Sequence, residues 1–244
     1  MPTSGSNRQP HREALKVQSD YFDARTPVRM RVADTPYIRR HLEQVIAAGS
    51  LRSGEAVCEW GAGMGRFSRL LAAHGLDLTA IELSPSRAQD CRASLVDAAR
   101  ACVEVGDVLE VLGRTDTRFD AMVGFFVLHH LPELGAYFRT ARRALRPGGR
   151  IVFTEPNPFN PLYPVQVCLT PGMRWRAERG IYRLWPRAIE RAALEAGFSR
   201  VWVSRYGILP RALYNAAAVL GVERWPERAV PDVAKAFQTI VADA

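Results

Sequence analysis

The 244-residue sequence predicts an α/β fold built on a doubly wound, mostly parallel sheet. Two observations carry this prediction. Short runs of continuously apolar residues, as buried parallel strands require, alternate along the chain with segments of helical periodicity. The first run, Ala56 to Trp60, leads into a turn with three alternate glycines and then into a helical pattern. The length and apolar content fit one substantial core with an added cap.

Two amphipathic segments precede the first strand. Residues 1–12 are polar and rich in Ser, Pro and Gly, so we expect them to be disordered. Glu13 to Ala24 carries a short amphipathic pattern. From Pro36 to Gly49 a second pattern begins with a first-turn proline and ends with a glycine, which predicts a helix that flanks the sheet.

A glycine-rich turn follows the first strand, in the order Glu59-Trp60-Gly61-Ala62-Gly63-Met64-Gly65. Glycine has no Cβ, so the backbone can come close to a ligand, and the following helix directs its free N–H groups at the same place. Dinucleotide-dependent enzymes use such a turn with the spacing G-x-G-x-x-G, but Arg66 stands where their third glycine would be. The turn predicts a ligand site; a tight turn that binds nothing is the alternative.

Acidic residues follow the second and third predicted strands. The run Leu78 to Glu82 closes on its acid, and Cys102 to Val105 is followed by Gly106-Asp107-Val108. In a nucleotide-binding α/β sheet an acid at the end of the second strand accepts hydrogen bonds from ribose hydroxyls. Glu82 is therefore a candidate for ribose binding. A surface acid and an ordinary Gly-Asp turn are the alternatives for the two positions.

The fourth and fifth strands flank a further helix. Phe119 to Glu133 combines an apolar strand with the segment V-L-H-H-L-P, and Pro132 starts a helical pattern. Arg146-Pro147-Gly148-Gly149 is predicted to end that helix, and Arg150 to Glu155 is the fifth strand.

Ser84-Pro85, an N-cap followed by a first-turn proline, predicts an earlier helix between the second and third strands.

Three of these motifs together resemble the class I S-adenosylmethionine-dependent methyltransferases, in their small-molecule branch. They are Glu59-x-Gly61-x-Gly63-x-Gly65, the V-L-H-H-L-P segment, and L-x-P-G-G directly before an apolar strand. The resemblance implies a Rossmann-like methyltransferase fold with a seven-stranded sheet whose last strand is antiparallel. It also implies S-adenosylmethionine as the cofactor.

The resemblance assigns roles at the cofactor. Glu59 helps to hold the methionine end, the glycines pass under the ligand, Glu82 binds the ribose, and Asp107 accepts from the adenine amine while the Val108 N–H reaches a ring nitrogen. Tyr21 is a lid candidate in an N-terminal segment and lid helix over residues 1–35. The cofactor-binding set is Tyr21, Glu59, Gly61, Gly63, Gly65, Glu82, Leu83, Asp107, Val108 and Phe125.

The methyltransferase domain is expected over residues 36–244, with cap insertions at about 156–184 and 208–232. The first insertion is proline-dense, carries aromatic residues and leaves the carboxyl edge of the sheet, so we expect it to cover the substrate. A helix over Pro186 to Ala196 and strands over Arg200 to Tyr206 and Phe237 to Ala242 complete the domain.

Candidate chemical residues lie after the fourth and fifth strands. Methyl transfer needs alignment, a water-poor site and a base where the nucleophile is protonated. Some similar sugar O-methyltransferases pair a histidine of the H-H-L-P segment with an acid at the end of the fifth strand. His129 or His130 as the base, oriented by Glu155, would reproduce that pair; packing or helix capping is the alternative for these histidines. Arg205, Tyr206 and the cap residues Arg174 and Arg176 are weaker candidates for holding an anionic substrate.

Charge and cysteine content limit the other classes. The net charge of +8 comes almost entirely from arginines spread along the chain, since Lys16 and Lys235 are the only lysines. As explanations of the positive charge, this spread favours compositional bias first, an anionic substrate second and nucleic-acid binding third. The four cysteines have no C-x-x-C spacing, so we expect reduced, buried thiols and no metal site. The absence of a long apolar run argues against stable membrane insertion and for a cytoplasmic protein.

The sequence thus predicts an S-adenosylmethionine-dependent methyltransferase that acts on a small molecule, most readily at oxygen, with no nucleic-acid partner. The alternatives are C- or N-methylation of a small, possibly anionic metabolite, a dinucleotide-dependent oxidoreductase, and a non-catalytic protein that keeps the fold. The acceptor and the oligomeric state do not follow from the sequence. Carboxylates of Glu82 and Asp107 that faced bulk solvent, or a glycine turn plugged by a side chain, would contradict the enzyme prediction.

Overall fold

The computed structural model describes residues 32–169, 173, 175–224, 227 and 229–244. This part of the chain contains one seven-stranded sheet in the order β3-β2-β1-β4-β5-β7-β6. All neighbours are parallel except β7, which is antiparallel to both β5 and β6. The predicted fold class is therefore confirmed. The strands are β1 (Ala56–Trp60), β2 (Asp77–Glu82), β3 (Ala101–Val105), β4 (Phe119–Phe125), β5 (Leu145–Pro156), β6 (Arg200–Tyr206) and β7 (Phe237–Asp243).

Helices connect the strands and cover both faces of the sheet. Each face of the sheet packs into its own buried apolar cluster. Trp60, Met122 and Phe153 belong to one cluster, and Val57, Val123 and Val152 belong to the other. Since successive strand residues point to opposite faces, strands buried on both sides must be apolar throughout, as the sequence indicated. The helices are α1 (Pro36–Gly49), α2 (Ser68–Ala73), α3 (Pro85–Ser94), α4 (Val108–Arg114), α5 (Leu134–Ala144), α6 (Tyr163–Leu169), α7 (Trp175–Glu178), α8 (Pro186–Glu195) and α9 (Arg211–Ala218).

In helix α1, local sequence signals set the start of the helix, and packing against the sheet explains the glycine at its end. The Thr35 hydroxyl accepts from the Ile38 N–H at 3.4 Å, and Pro36 occupies the first turn. The sequence predicts that Gly49 is the first residue after the helix, and this prediction is wrong by one residue. Gly49 is the last helical residue, and Ser50 takes the left-handed conformation with φ 49°. Gly49 is needed for packing instead, because a Cβ there would lie 2.7 Å from a Val152 methyl.

The connection between β4 and β5 departs most from the sequence prediction. Pro132 does not start the helix, which begins at Leu134, and Leu128–His130 form a 3₁₀ turn. Helix α5 ends at Ala144, and β5 begins at Leu145, so the L-x-P-G-G segment is the first part of the strand rather than the end of the helix. The β4–β5 register shifts between Phe119 and Ala121. This irregularity accommodates the extra residues of the turn inside the strand pairing.

The four cysteines are free thiols, as expected, but only Cys58 and Cys91 are buried. Cys102 and Cys168 are exposed, so the prediction of burial is wrong for these two. Cys102 lies on β3, which is an edge strand of the sheet with one face open to solvent. Among the described residues we find no helix with the length and apolar character that a membrane span requires.

The insertion after β5 is structured where it is described. It contains α6, α7 and a 3₁₀ turn over Arg179–Arg183. Its first residues are fixed by the fully buried Asn157, whose amide donates to the carbonyls of Val233 at 3.1 Å and Lys235 at 2.7 Å. The Asn157 side-chain oxygen accepts from the Phe159 N–H at 3.1 Å. One side chain thus joins the start of the cap to the segment before β7.

We expect Asn157→Ala to lower the free energy of unfolding by about 2 kcal/mol, because partly buried carbonyls and a partly buried N–H lose their hydrogen-bond partner. Urea unfolding followed by circular dichroism measures this change. Thr117→Ala at an exposed loop position is the control, with an expected change within about 0.5 kcal/mol. Equal stability of Asn157→Ala and the wild type would contradict the anchoring role.

Candidate active site

The three glycines of the turn after β1 have different surroundings. All three have positive φ angles, 66° at Gly61, 57° at Gly63 and 84° at Gly65. A Cβ at Gly61 would lie 2.6 Å from a Val127 methyl, and a Cβ at Gly65 would lie 2.0 Å from the Ser94 hydroxyl. Around Gly63 none of the described residues outside the turn places an atom within 4 Å of the Cβ position. The turn is packed at both ends and open at its middle, where a ligand can approach the backbone.

Glu82 closes one side of this open space. It is 7% exposed, and its carboxylate accepts from the Gly63 N–H at 2.7 Å and from the Ser84 N–H at 2.9 Å. Burial raises the pKa of Glu82, although these hydrogen bonds and the Arg87 charge oppose the rise. Leu83 is half-buried beside it. The acid that the sequence predicts for the ribose thus lies directly against the glycine turn.

Asp107 lies at the start of α4, one strand further along the edge. It is 6% exposed, and its carboxylate accepts from the Tyr137 hydroxyl at 2.7 Å. Val108 is the first residue of α4 and is also buried, so its N–H is at a helix N-terminus. Neither Glu82 nor Asp107 faces bulk solvent, and no side chain of the residues that the structure describes fills the position above Gly63.

Two predicted cofactor contacts have other partners. Glu59 is 2% exposed and accepts from the Ser68 hydroxyl at 2.5 Å, and burial raises its pKa to about 7. Its carboxylate holds the first turn of α2. The Phe125 ring stacks on Phe67 at a centroid distance of 3.8 Å inside the core, which leaves only the Phe125 backbone for a cofactor. Tyr21 lies outside the described residues.

A buried histidine–carboxylate pair lies at the ends of β4 and β5. His129 Nδ1 is 2.5 Å from Glu155 Oε2, and the two side chains are 2% and 0% exposed. The other Glu155 oxygen accepts from the N–H groups of Val127 and Leu128, each at 2.7 Å. The structure therefore brings together the predicted pair. His130 is adjacent, with its ring centroid 3.9 Å from that of His129.

A third charged residue, which the sequence analysis missed, completes this group. Glu178 Oε2, at the end of α7 in the cap, lies 3.4 Å from His129 Nε2, close enough for an ion pair, although the geometry does not make a hydrogen bond. The same oxygen accepts from the Tyr163 hydroxyl at 2.9 Å. No periodicity marks Glu178, because its approach to His129 depends on how the cap folds back. The only sequence signal is an acid inside an otherwise basic cap segment.

The two carboxylates control the charge of the imidazole. Burial by itself lowers the pKa of His129. The negative charge of Glu155 and the contacts of the ring with Glu155 and Glu178 outweigh burial and raise this pKa to about 9. Burial raises the pKa of Glu178, but the close contact with the His129 ring and its charge reverse this and lower it to about 2. The two carboxylates thus oppose the effect of burial and favour the charged form of the His129 imidazole.

The same group has the composition of a cation site. His129, His130 and Glu178 each offer one ligand atom, and these atoms lie within 4.8 Å of one another. The cysteine spacing predicted no metal site, but this cluster contains no cysteine, and its third member comes from the cap. A proton and a divalent cation are therefore the two species that this arrangement can place at His129 Nε2.

The candidates for binding an anionic substrate are not brought together. The Tyr206 hydroxyl is buried, lies 2.7 Å from His41 Nδ1 and donates to Thr154 at 3.3 Å, so it is occupied inside the fold. Arg205 places its guanidinium over the Phe159 ring, 5.2 Å from the centroid. Arg174 and the Arg176 side chain lie outside the described residues. The prediction is wrong for Tyr206, whose contacts stabilise the β6 end.

A family model described as a methyltransferase domain matches residues 33–202, which include the glycine turn, Glu82, Asp107 and the His129–Glu155 pair. The chain belongs to the class I S-adenosylmethionine-dependent methyltransferases. The family match decides against the dinucleotide-dependent alternative. With the open position above Gly63 and two buried carboxylates beside it, the described residues of this methyltransferase fit S-adenosylmethionine, its cofactor.

Curated proteins and solved structures agree with this assignment. The chain is 28% identical over 158 residues to the ubiquinone biosynthesis O-methyltransferase of Xanthomonas oryzae pv. oryzae, covering 64% of each chain. A methyltransferase from Archaeoglobus fulgidus has a TM-score of 0.60 at 16% identity, with 85% of this chain and 91% of that one covered. Phosphoethanolamine N-methyltransferase 2 of Haemonchus contortus, solved with S-adenosyl-L-methionine, has a TM-score of 0.57 at 18% identity and coverage of 85% and 52%. The methyltransferase spans about three fifths of the length of the curated relatives it matches.

The glycine surroundings predict opposite effects for two alanine substitutions. Gly65→Ala forces α3 away from the turn and should cost about 3 kcal/mol of stability. Gly63→Ala meets open space, so it should cost only about 1 kcal/mol for the left-handed conformation while weakening S-adenosylhomocysteine binding about tenfold or more. Thermal unfolding and titration calorimetry measure the two effects. Unchanged binding by a folded Gly63→Ala variant would show that the cofactor does not pass over this position.

Proposed function

We propose that this methyltransferase transfers a methyl group from S-adenosylmethionine to an oxygen atom of a small-molecule acceptor. The observation that carries the proposal is the buried His129–Glu155 pair at the carboxyl ends of β4 and β5. Val127, two residues before His129, packs on Gly61 of the glycine turn, which supports a position of the pair near the proposed cofactor site. The carboxyl edge of the sheet is where α/β proteins bind their ligands.

We assign cofactor binding to the residues around the turn. The backbone at Gly63 would lie under the ligand, Glu82 would accept from the ribose hydroxyls, and Asp107 with the Val108 N–H would hold the adenine. Burial supports these roles, because a carboxylate in a water-poor site forms stronger hydrogen bonds to a ligand than one in solvent. When bound, the cofactor supplies an electrophilic methyl group on a positively charged sulfur.

The chain's own residues would handle the acceptor's proton. In the neutral imidazole, Nδ1–H donates to Glu155 and Nε2 is left as the acceptor, so Glu155 fixes both the tautomer and the ring orientation of His129. Glu155 is itself fixed by the Val127 and Leu128 N–H groups. His129 is therefore our candidate base, and Glu155 its positioning residue. His130 remains an alternative base of the same segment.

Oxygen is favoured over nitrogen or carbon because a hydroxyl acceptor has a proton that a base must remove during attack. An amine can attack from its neutral form and gains less from such a base. The ubiquinone biosynthesis O-methyltransferase among the relatives points in the same direction. The acceptor is expected to be a small hydroxyl compound held under the cap formed by residues 156–184.

The cofactor assignment predicts that Glu82→Gln weakens S-adenosylhomocysteine binding about tenfold or more, because the amide offers one acceptor oxygen in place of two. Titration calorimetry gives the dissociation constant. Glu104→Gln on the exposed face of β3 is the matched control and should leave it unchanged. Equal affinity of both variants would remove Glu82 from the cofactor site.

The assignment of His129 as the base predicts a loss of turnover without the loss of cofactor binding expected for Glu82→Gln. His129→Gln and Glu155→Gln should lower turnover about 100-fold. His129→Gln should leave S-adenosylhomocysteine binding within about twofold, because its side chain is not assigned to the cofactor. Mass spectrometry of products from phenols, sugars and hydroxylated prenyl compounds, with a labelled methyl donor, measures turnover. A fully active His129→Gln variant would contradict the role of His129.

A further inference from the structure

Three polar side chains, the polar row, lie side by side at the carboxyl edge of the sheet. Glu155 of β5 is opposite Gln238 of β7, and Gln238 is opposite Arg205 of β6. Directly opposite residues of antiparallel strands share a face, with their Cβ atoms about 5 Å apart. Phe153, two residues before Glu155, lies on the same face, in the buried cluster that also contains Leu184 of the cap. The polar row therefore continues this face toward the cap, beginning at the residue that positions the candidate base.

Gln238, the middle residue of the polar row, is fully buried and has one unused polar atom. Its amide nitrogen donates to the Leu184 carbonyl at 3.0 Å. Because only the NH₂ group can donate to a carbonyl, this bond fixes which end of the amide is the oxygen. Oε1 is buried and has no hydrogen-bond partner among the described residues. Buried polar atoms in proteins are paired with few exceptions, so Oε1 indicates a donor on a ligand.

Arg205 offers the opposite kind of atom on the neighbouring strand. Its guanidinium lies over the Phe159 ring, 5.2 Å from the centroid, and the Phe159 ring in turn contacts that of Trp185 at a centroid distance of 4.9 Å. Arg205 Nε is buried and makes no hydrogen bond within the described part of the chain. Since Nε–H only donates and Gln238 Oε1 only accepts, the polar row presents one donor and one acceptor beside two aromatic rings.

These two atoms together select the kind of group that can bind them. A hydroxyl donates its proton to Gln238 Oε1 and accepts from Arg205 Nε–H with an oxygen lone pair. A carboxylate has no proton for the amide oxygen. An ammonium group has no lone pair for Nε–H, and the guanidinium charge repels it. A neutral hydroxyl is therefore the group that satisfies both side chains.

We propose that Gln238 is a specificity-determining residue that, together with Arg205, binds a second hydroxyl of the acceptor while the hydroxyl to be methylated lies at His129. This inference rests on the proposed function and deepens it, because it makes the acceptor a compound with two hydroxyl groups. Neighbouring strands are about 4.8 Å apart. The two hydroxyls are accordingly further apart than hydroxyls on neighbouring carbons.

Two small phenols of similar size test this specificity. Resorcinol carries its second hydroxyl two ring carbons from the first, and 3-fluorophenol has in that place a fluorine that cannot donate a hydrogen bond. With a labelled methyl donor and mass spectrometry of products, kcat/KM of the wild type should be about tenfold or more higher for resorcinol, because 3-fluorophenol leaves Gln238 Oε1 unpaired. Equal values of kcat/KM for the two compounds would overturn the inference.

Gln238→Leu removes Oε1 and should reduce the ratio of the two kcat/KM values to within about twofold. A purely structural role of Gln238, through its bond to Leu184, would instead lower kcat/KM for both compounds alike and leave the ratio unchanged. Gln89→Leu, at an exposed position of α3, is the matched control and should keep the wild-type ratio.

Arg205→Met removes the donor of the pair and should also reduce the ratio. This second variant keeps the inference testable if Gln238→Leu does not fold. Arg200→Met, at the exposed other end of β6, is its matched control and should keep the wild-type ratio. A wild-type ratio in a folded Arg205→Met variant would remove Arg205 from the hydroxyl site and contradict the proposal.

Binding measurements separate this inference from the proposed function. Calorimetric titration of the two phenols into the complex with S-adenosylhomocysteine needs no turnover. The wild type should bind resorcinol about tenfold or more tightly than 3-fluorophenol, and Gln238→Leu should bind them within about twofold. Equal binding by the wild type, or no binding of either compound, overturns the inference even if another compound is methylated. The expected binding without any methyl transfer counts against the proposed function alone.

A crystal structure of the complex with S-adenosylhomocysteine and resorcinol shows directly which group Gln238 Oε1 binds. A resorcinol hydroxyl within hydrogen-bond distance of both Gln238 Oε1 and Arg205 Nε is the expected result. A backbone or side-chain donor of this chain at Oε1 would overturn the inference. A water molecule between the two atoms that resorcinol does not displace would overturn it as well.

Discussion

The buried carboxylate of Glu155 is the interaction on which the site depends. It stands at the end of β5 and binds three groups of the chain that leaves β4: two backbone N–H groups and the His129 ring. Taking a carboxylate fully out of water is costly unless each oxygen is hydrogen-bonded. Here the requirement is met by a single turn, so the fold of residues 127–129 and the burial of the Glu155 side chain depend on each other.

This arrangement also links the two halves of the site. Val127 binds Glu155 through its N–H and packs its methyl groups on Gly61, so the turn that holds the histidine also forms the floor of the glycine turn. On the other side, Gly180 and Arg183 fasten the cap to the same few residues. The glycine turn, the His129–Glu155 pair and the cap therefore meet at one short segment.

Charge is distributed unevenly over this methyltransferase. The surface carries most of the arginines, several of them in exposed ion pairs such as Arg39 with Asp34, which contribute little to stability. The buried charges are concentrated at the carboxyl edge of the sheet, in Glu59, Glu82, Asp107, Glu155 and His129. Buried ionisable groups are costly to the fold, and their collection at one edge is the usual mark of a functional site.

The sequence by itself determined the sheet, the glycine turn and the acids at the ends of β2 and β3, while its resemblance to the family implied a pairing of His129 or His130 with Glu155. These follow from local rules, since apolar runs, glycines and strand ends are set by neighbouring residues and the parallel topology then brings the strand ends to one edge. Only the tertiary structure decided that Phe125 packs inward, that Gly49 serves packing, that β5 begins at Leu145, and that Glu178 reaches His129. Each of these depends on contacts between segments far apart in the chain, for which no local pattern exists.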